Sequence, residues 1–291
     1  MTVALRLGLV FSPSLPPESV RAVARSAEAA GLDDFWVSED CFKESAVASA
    51  VAALAATERV RVGIALLPVP LRSVAQAAME LATIDRLFPG RFVGGIGHGV
   101  QPWMAQAGVQ VDAPLTLLRE FATALRQLLD GEQVSVAGKY VNLDKIQLDY
   151  PPLQPPPLLI GAAGPRSLAA AGELGTGTLL ALGLDVEKTR ESTATTLAAA
   201  SSASGHEVLA SLIVATGPEA RARVDAELGT YGMPGGADVG AVGDARAIAG
   251  RILELASAGV TGISVQPCAD EPDLDAFARF LGEEVKPLLH H

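Results

Sequence analysis

Three short stretches of this chain combine residue types that can do chemistry. Glu39-Asp40 is a pair of adjacent carboxylates after the apolar run Phe35–Ser38; Gly97-His98-Gly99 follows Arg91–Ile96; and Gly161-Ala162-Ala163-Gly164-Pro165-Arg166 follows Leu158–Ile160. Each stands where a strand pattern gives way to a loop. Neighbouring residues on an extended chain point to opposite sides, so one carboxylate of the pair is expected to enter a pocket while the other orients backbone or pairs with a cation such as Arg72. A carboxylate partly removed from water holds its proton more tightly and can serve as a proton donor. His98 sits between glycines, where backbone can approach a ligand closely. In the third stretch Pro165 suits the first position of a helix. The N–H groups of such a turn face outward at the positive end of the helix dipole, and a phosphate there gains ~1 kcal/mol, more with a charge-assisted bond from Arg166.

The elements that must position these residues alternate. Strand patterns at Val3–Phe11, Phe35–Ser38, Val60–Leu67, Arg91–Ile96, Leu158–Ile160, Thr178–Leu182, Val208–Ala215 and Gly262–Val265 are separated by helical patterns. Those helices run from Pro16 to Ala30, Ser45 to Thr57, Ser73 to Leu87, Pro114 to Leu129, Arg166 to Leu174, Val186 to about Ala200, Pro218 to Leu228, Ala245 to Ala258 and Leu274 to Leu281. Near-continuous apolar strands fit a parallel sheet covered on both faces. Gln133–Val136 and Tyr140–Leu143 around Ala137-Gly138 read as a hairpin outside the alternation, inserted after the fourth strand. Gly232–Gly243 reads as a glycine-rich loop. Eight strands alternating with helices over 291 residues predict an α/β fold of the (β/α)8 TIM-barrel type. A single barrel domain over 1–289 is expected, with His290-His291 as a tag remnant.

In such a barrel function gathers at the C-terminal ends of the strands. Beyond the three stretches this draws in Ser12, Leu67, Pro68, Gly183, Thr216 and Gln266. No lysine stands at a strand end for Schiff-base chemistry, and His98 with Glu39 and Asp40 is a poor ligand set, so no metal is expected. The balance of 22 basic against 33 acidic residues gives a net charge of −11 without a basic run, which argues against nucleic acids and anionic membranes as partners. The longest apolar stretch, Ala46–Ala56, falls short of the ~20 residues that cross a bilayer. Cys41 and Cys268 match no metal or redox spacing, and a cytoplasmic location is expected. Trp36 and Phe42 read as core, whereas Trp103, which follows the glycine loop, reads as a pocket wall.

Several motifs, taken in order, carry a resemblance. Leu32-Asp33-Asp34-Phe35-Trp36-Val37-Ser38-Glu39, Thr57-Glu58-Arg59-Val60-Arg61-Val62-Gly63, Asp85–Gly99 and Gly164-Pro165-Arg166-Ser167 resemble successive segments of the luciferase-like superfamily, barrels that bind FMN or the deazaflavin coenzyme F420. The resemblance implies an oxidoreductase that moves hydride between F420 and a small organic substrate. Its alternatives are a monooxygenase fed with reduced FMN by a separate flavin reductase, and a non-catalytic flavin-binding barrel. It also implies a non-proline cis peptide at Ala65-Leu66 against the cofactor ring, and cofactor contacts from His98, Gly99, Ala162, Ala163, Gly164 and Arg166. Asp40 and Glu39 are left as the catalytic candidates. A homodimer through the helices Ser45–Thr57 and Ser73–Leu87 is expected on the same ground. Sugar-phosphate dehydrogenases of this type carry Asp-His after strand two, where this chain has Glu39-Asp40. Pterin-reducing members carry carboxylates at two positions that are Val10 and Val100 here, and luciferases proper show Glu-His-His where Glu39-Asp40-Cys41 stands.

Overall fold

A computed structural model describes residues 5–236 and 238–289; the beginning of the first predicted strand and His290-His291 lie outside them. The chain runs through β1 (Arg6–Val10), α1 (Val20–Ala29), β2 (Asp34–Val37), α2 (Ala46–Ala56), β3 (Arg61–Ile64), the two-residue β4 (Leu67–Pro68), α3 (Val74–Leu87) and β5 (Phe92–Gly97). It continues through α4 (Gln101–Gln106), α5 (Pro114–Leu129), β6 (Val134–Ala137), β7 (Asn142–Ile146), β8 (Leu158–Ala162), α6 (Pro165–Leu174), β9 (Gly177–Leu180) and α7 (Val186–Ala199). Last come β10 (Glu207–Ala215), α8 (Ala220–Thr230), β11 (Ala241–Val242), α9 (Ala245–Ser257), β12 (Gly262–Pro267) and α10 (Leu274–Arg279). Hydroxyl and carboxylate caps start many of the helices: Ser45 and Ser73 accept from Ala48 N and Gln76 N, and Asp185, Asp244 and Asp273 do the same for α7, α9 and α10. Each cap satisfies an N–H that the first helical turn leaves without a partner.

Among the described residues eight parallel strands, β1-β2-β3-β5-β8-β9-β10-β12, pair in that order. Pairing of β9 with β10 (Thr178 opposite Val208) and of β12 with β1 (Ile263 opposite Leu7) closes the barrel. The fold is the predicted TIM barrel. The hairpin β6–β7 stands apart as a two-stranded antiparallel sheet, shifted slightly from its expected ends. It is tied to α5 by Glu120, whose carboxylate accepts from the backbone N–H of Lys139, Tyr140 and Val141.

The lumen is filled by Val10, Trp36, Val93, Leu159, Leu179 and Leu209. Trp36 fits because its neighbours across the sheet are glycines. A Cβ at Gly63 would lie 2.1 Å from the indole ring, and one at Gly8 would lie 2.8 Å from it. Below the ring, at the N-terminal end of the barrel, the buried Asp34 accepts from the Arg6 and Arg61 guanidiniums, and Arg61 also pairs with Glu207. These charges close the floor and keep ligand access to the other end.

The structure differs from the sequence reading in five places. The predicted strand Val60–Leu67 is divided: β3 ends at Ile64, the Ala65-Leu66 peptide is cis as the resemblance implied, and β4 resumes the pairing with β5. A second cis peptide, Cys41-Phe42, was not anticipated. Phe42 is 67% exposed and is not core, because it projects from the loop beyond β2 rather than from a strand. The loop Gly232–Gly243 contains β11, which adds to β10 outside the barrel circuit, and α4, unpredicted, forms where Pro102 occupies its first turn.

Candidate active site

A cavity of about 330 Å3 opens at the C-terminal ends of the strands, above Trp36 and Val10. Its walls are apolar and come from separate elements: Leu66 from the link between β3 and β4, Trp103 from α4, Leu182 after β9, and Met233 after α8. Polar groups reach it from few places, namely Ser38, Glu39 and Asp40 after β2, His98 after β5, Ser211 on β10, and Ser264 and Gln266 on β12, with Tyr231 beside Met233.

The carboxylate pair divides as its alternation predicts. Glu39 faces Arg72, which grips it through both terminal nitrogens, and its Oε2 also accepts from Ala46 N at the start of α2 at 3.2 Å. Arg72 is held in turn by Glu80 at 2.9 Å. With its oxygens so occupied, Glu39 is tied into the rim between Arg72 and the start of α2. Asp40 has no such cation clamp: burial pushes its carboxyl up from the usual range, and Lys43 offsets this only in part. It is the carboxylate at this mouth that burial makes hold its proton more tightly than usual.

The glycines serve a purpose different from the expected one. A Cβ at Gly161 would stand 2.2 Å from Leu66 Cδ2, and one at Gly97 would stand 2.6 Å from it. Both strand ends therefore lack side chains so that Leu66 can lie across them and form the cavity wall. Gly99, at φ +72°, passes over Met104 and Pro68, where a Cβ would meet the Met104 sulfur at 2.9 Å. His98 Nδ1 shares a hydrogen with Gly99 O at 2.8 Å, and Gln101 Nε2 donates to the His98 and Gly99 carbonyls. That clasp holds the imidazole against the cavity.

The third stretch is split. Ala162 and Ala163 line the cavity, whereas Gly164 and the exposed Arg166 lie beyond it, on the rim. The two N–H groups expected to be open, those of Ala163 and Gly164, both donate to Ser167 Oγ, at 3.2 and 3.1 Å. This corrects the picture of a bare anion nest. Open space surrounds Gly164, and Arg166 is exposed beside it.

Tyr231, Met233, Ser211 and Ser264 were not singled out by sequence reasoning. Gln266 was, as a strand-end residue, and it is the centre of a buried cluster. Its amide nitrogen donates to Glu227 Oε1 at 3.2 Å and to Tyr231 Oη at 3.0 Å, while Glu227 Oε2 accepts from Ala269 N at 3.0 Å. The signal that marks it in the sequence is its place directly after the Gly262–Val265 strand run; Tyr231 carried none.

An apolar slot at the C-terminal face of a parallel barrel, walled by a cis-linked bulge and lined by one desolvated carboxylate, has the shape of a ligand-binding site. The family model described as luciferase-like monooxygenase matches residues 7–233, and the chain belongs to that family. It is 28% identical over 177 residues to a 5,10-methylenetetrahydromethanopterin reductase of Methanolobus tindarius, covering 60% of this chain and 54% of that protein. It is 33% identical over 188 residues to an F420-dependent glucose-6-phosphate dehydrogenase of Kineococcus radiotolerans, covering 60% and 55%. The chain thus spans about half the length of the curated relatives it matches. The solved coenzyme F420 dependent tetrahydromethanopterin reductase of Methanopyrus kandleri superimposes with a TM-score of 0.85 at 20% identity, over 98% of this chain and 99% of that one, a likeness of fold. Among the described residues no helix is long and apolar enough to cross a membrane, and no group of three or more potential ligands is placed to hold a metal.

Proposed function

We propose that this chain is an F420-dependent oxidoreductase moving hydride between the deazaflavin and a small organic substrate. The observation that carries the reading is the cavity itself, whose mostly apolar lining, Leu66 and Trp103 among it, includes a carboxylate that burial makes hold its proton more tightly. Both F420-dependent relatives named above belong to the same family. The residues fit the cofactor: a fused ring needs an apolar slot, and its anionic tail needs a cation outside it, here Arg166 beside the unobstructed Gly164. When bound, F420 supplies or accepts the hydride. Leu66, Ala162 and Ala163 would hold the ring, with His98 and Gly99 at its edge. Asp40 would deliver one proton to the substrate atom that gains charge as a neighbouring carbon accepts hydride, and would retrieve it in the reverse direction. Glu39 with Arg72 would keep that loop rigid.

Titration of the purified protein with F420 and with FMN, each oxidised and reduced, tests the proposal. Micromolar or tighter F420 binding with weak FMN binding is expected. The opposite preference would favour the second reading, a monooxygenase served by a flavin reductase, which the description of the matched family model supports. Tight binding without turnover would leave a carrier barrel. A homodimer is proposed on the uncharged α2 and the exposed Met79 and Leu87 of α3, each 62% accessible; a monomeric mass by sedimentation would remove it.

A further inference from the structure

The Glu227–Gln266–Tyr231 cluster has a polarity that the fold sets. Glu227 and Gln266 are each 6% exposed, on α8 and β12. A carboxylate offers only acceptors, so the amide of Gln266 must turn its NH2 group toward Glu227. The second hydrogen of that NH2 then goes to Tyr231 Oη at 3.0 Å. The phenol oxygen is thereby an acceptor on its buried side, and its own hydrogen must be given elsewhere. Among the described residues it meets no protein acceptor, and the side chain lines the cavity. Three groups in series thus leave one O–H free toward a mostly apolar chamber lined also by Met233 and Leu182, where the nearby Ser211 and Ser264 hydroxyls are paired with each other at 2.9 Å. Burial pushes the phenol up to about 12, and the charge on Asp40 adds to the effect, so the proton is retained at ordinary pH.

We propose that Tyr231 donates a hydrogen bond to the reacting oxygen of the substrate, and that this substrate is a carbonyl compound or its alcohol on an apolar body, with Gln266 and Glu227 as positioning residues behind it. The inference rests on the oxidoreductase reading, in which hydride adds to the carbonyl carbon, the C=O π pair moves to oxygen, and Asp40 supplies the proton that completes the alcohol. Tyr231 keeps its hydrogen throughout and stabilises the oxygen as it gains charge.

The test uses cyclohexanone, labelled with 13C at the carbonyl, as the probe. Its binding is followed by calorimetry and its carbonyl stretch by infrared difference spectroscopy, with and without F420. Wild type is expected to bind it saturably with the stretch shifted to lower frequency. Tyr231→Phe is expected to weaken binding about five- to tenfold, the loss of one net hydrogen bond, and to return the stretch toward its free value, with melting temperature and F420 affinity unchanged. Glu227→Gln is expected to do the same although the phenol is intact, because Gln266 can then flip and take the Tyr231 hydrogen on its own carbonyl. Absence of saturable ketone binding to wild type, or an unshifted stretch that Tyr231→Phe leaves as it is, overturns the proposal. Failure of F420 to bind while the Tyr231 effect on the ketone persists overturns the cofactor reading alone.

Discussion

Gly161→Ala asks whether Leu66 is the movable wall of the ligand cavity. The new methyl would stand 2.2 Å from Leu66 Cδ2, while the next neighbour, Ile96 O, lies at 3.6 Å. Ordinary carbon contacts are ~3.5–4.0 Å, so Leu66 alone must yield, by more than about 1 Å. It cannot move toward β5, because it already rests on the bare Gly97; the open direction is into the cavity. The cost to the fold is therefore small, near the low end of the ~1–3 kcal/mol typical of overpacking. The cost to a ring seated on Leu66 is larger, since both compete for one volume: F420 affinity should fall by about 10- to 100-fold, equivalent to ~1.4–2.8 kcal/mol. Fluorescence titration reads the affinity and a thermal melt reads the fold. Leu66→Ala added to Gly161→Ala should recover most of the binding. Unchanged affinity in the single variant, or no recovery in the double, would refute the assignment of this wall. Gly63→Ala makes the contrast, because its methyl would lie 2.1 Å from a Trp36 ring that is 1% exposed and has no space to retreat. There the loss should appear in stability, at or beyond the upper end of ~1–3 kcal/mol.

Three further outcomes are expected. Arg166→Glu should weaken F420 at least about tenfold through loss of a charge-assisted contact; equal affinities in a titration would remove the phosphate site from α6. Asp40→Asn should abolish most turnover yet raise the melting temperature at pH 7. Burial raises the Asp40 pKa in the fold, so the wild type loses stability relative to asparagine as pH climbs from the unfolded value of ~3.9 through the raised native one. Melts that coincide at pH 7 and diverge below pH ~4 would contradict this sign. Asp34→Ala leaves Arg6 and Arg61 without their shared acceptor, and should cost ~3–5 kcal/mol in urea denaturation without changing F420 affinity, because the pair lies at the far end of the barrel. A loss below ~1 kcal/mol would place Asp34 among weak surface pairs.

The barrel was legible because its signal is repeated: each apolar run followed by a capped helix points the same way, and strand order in a parallel barrel follows chain order. Trp103 and Asp40 were found from their place after a strand. What escaped has local physical causes. Two-residue β4 and six-residue α4 are too short to carry a period, and Ser167, three residues beyond Gly164, took the N–H groups that a reading of the turn alone leaves open. Gly97 and Gly161 were read as room for a ligand, whereas the room is filled by Leu66, a residue about 30 positions from one and 95 from the other, a pairing no local rule reveals. Tyr231 stood in a stretch whose composition marks only a loop.

The two halves of the mouth are built on different principles, and this bears on how such a site changes its ligand. On the side of β2 to β8 the wall is backbone-defined: Leu66 is held by bare strand ends, His98 by the Gly99 carbonyl, and Glu39 by Arg72 and Ala46 N. On the side of β10 to β12 the Tyr231 hydroxyl is set by a buried carboxylate and amide, with Ser211 and Ser264 paired nearby at 2.9 Å, while Met233 lies over Gly183, whose φ of +77° favours glycine and where a Cβ would come within 2.5 Å of the Met233 sulfur. Methionine has three rotatable bonds and repacks readily. The second half can therefore be reshaped around Met233 without disturbing the Glu227–Gln266–Tyr231 series. On the proposed function, the cofactor would sit in the backbone-defined half and substrate choice would fall to the half around Met233.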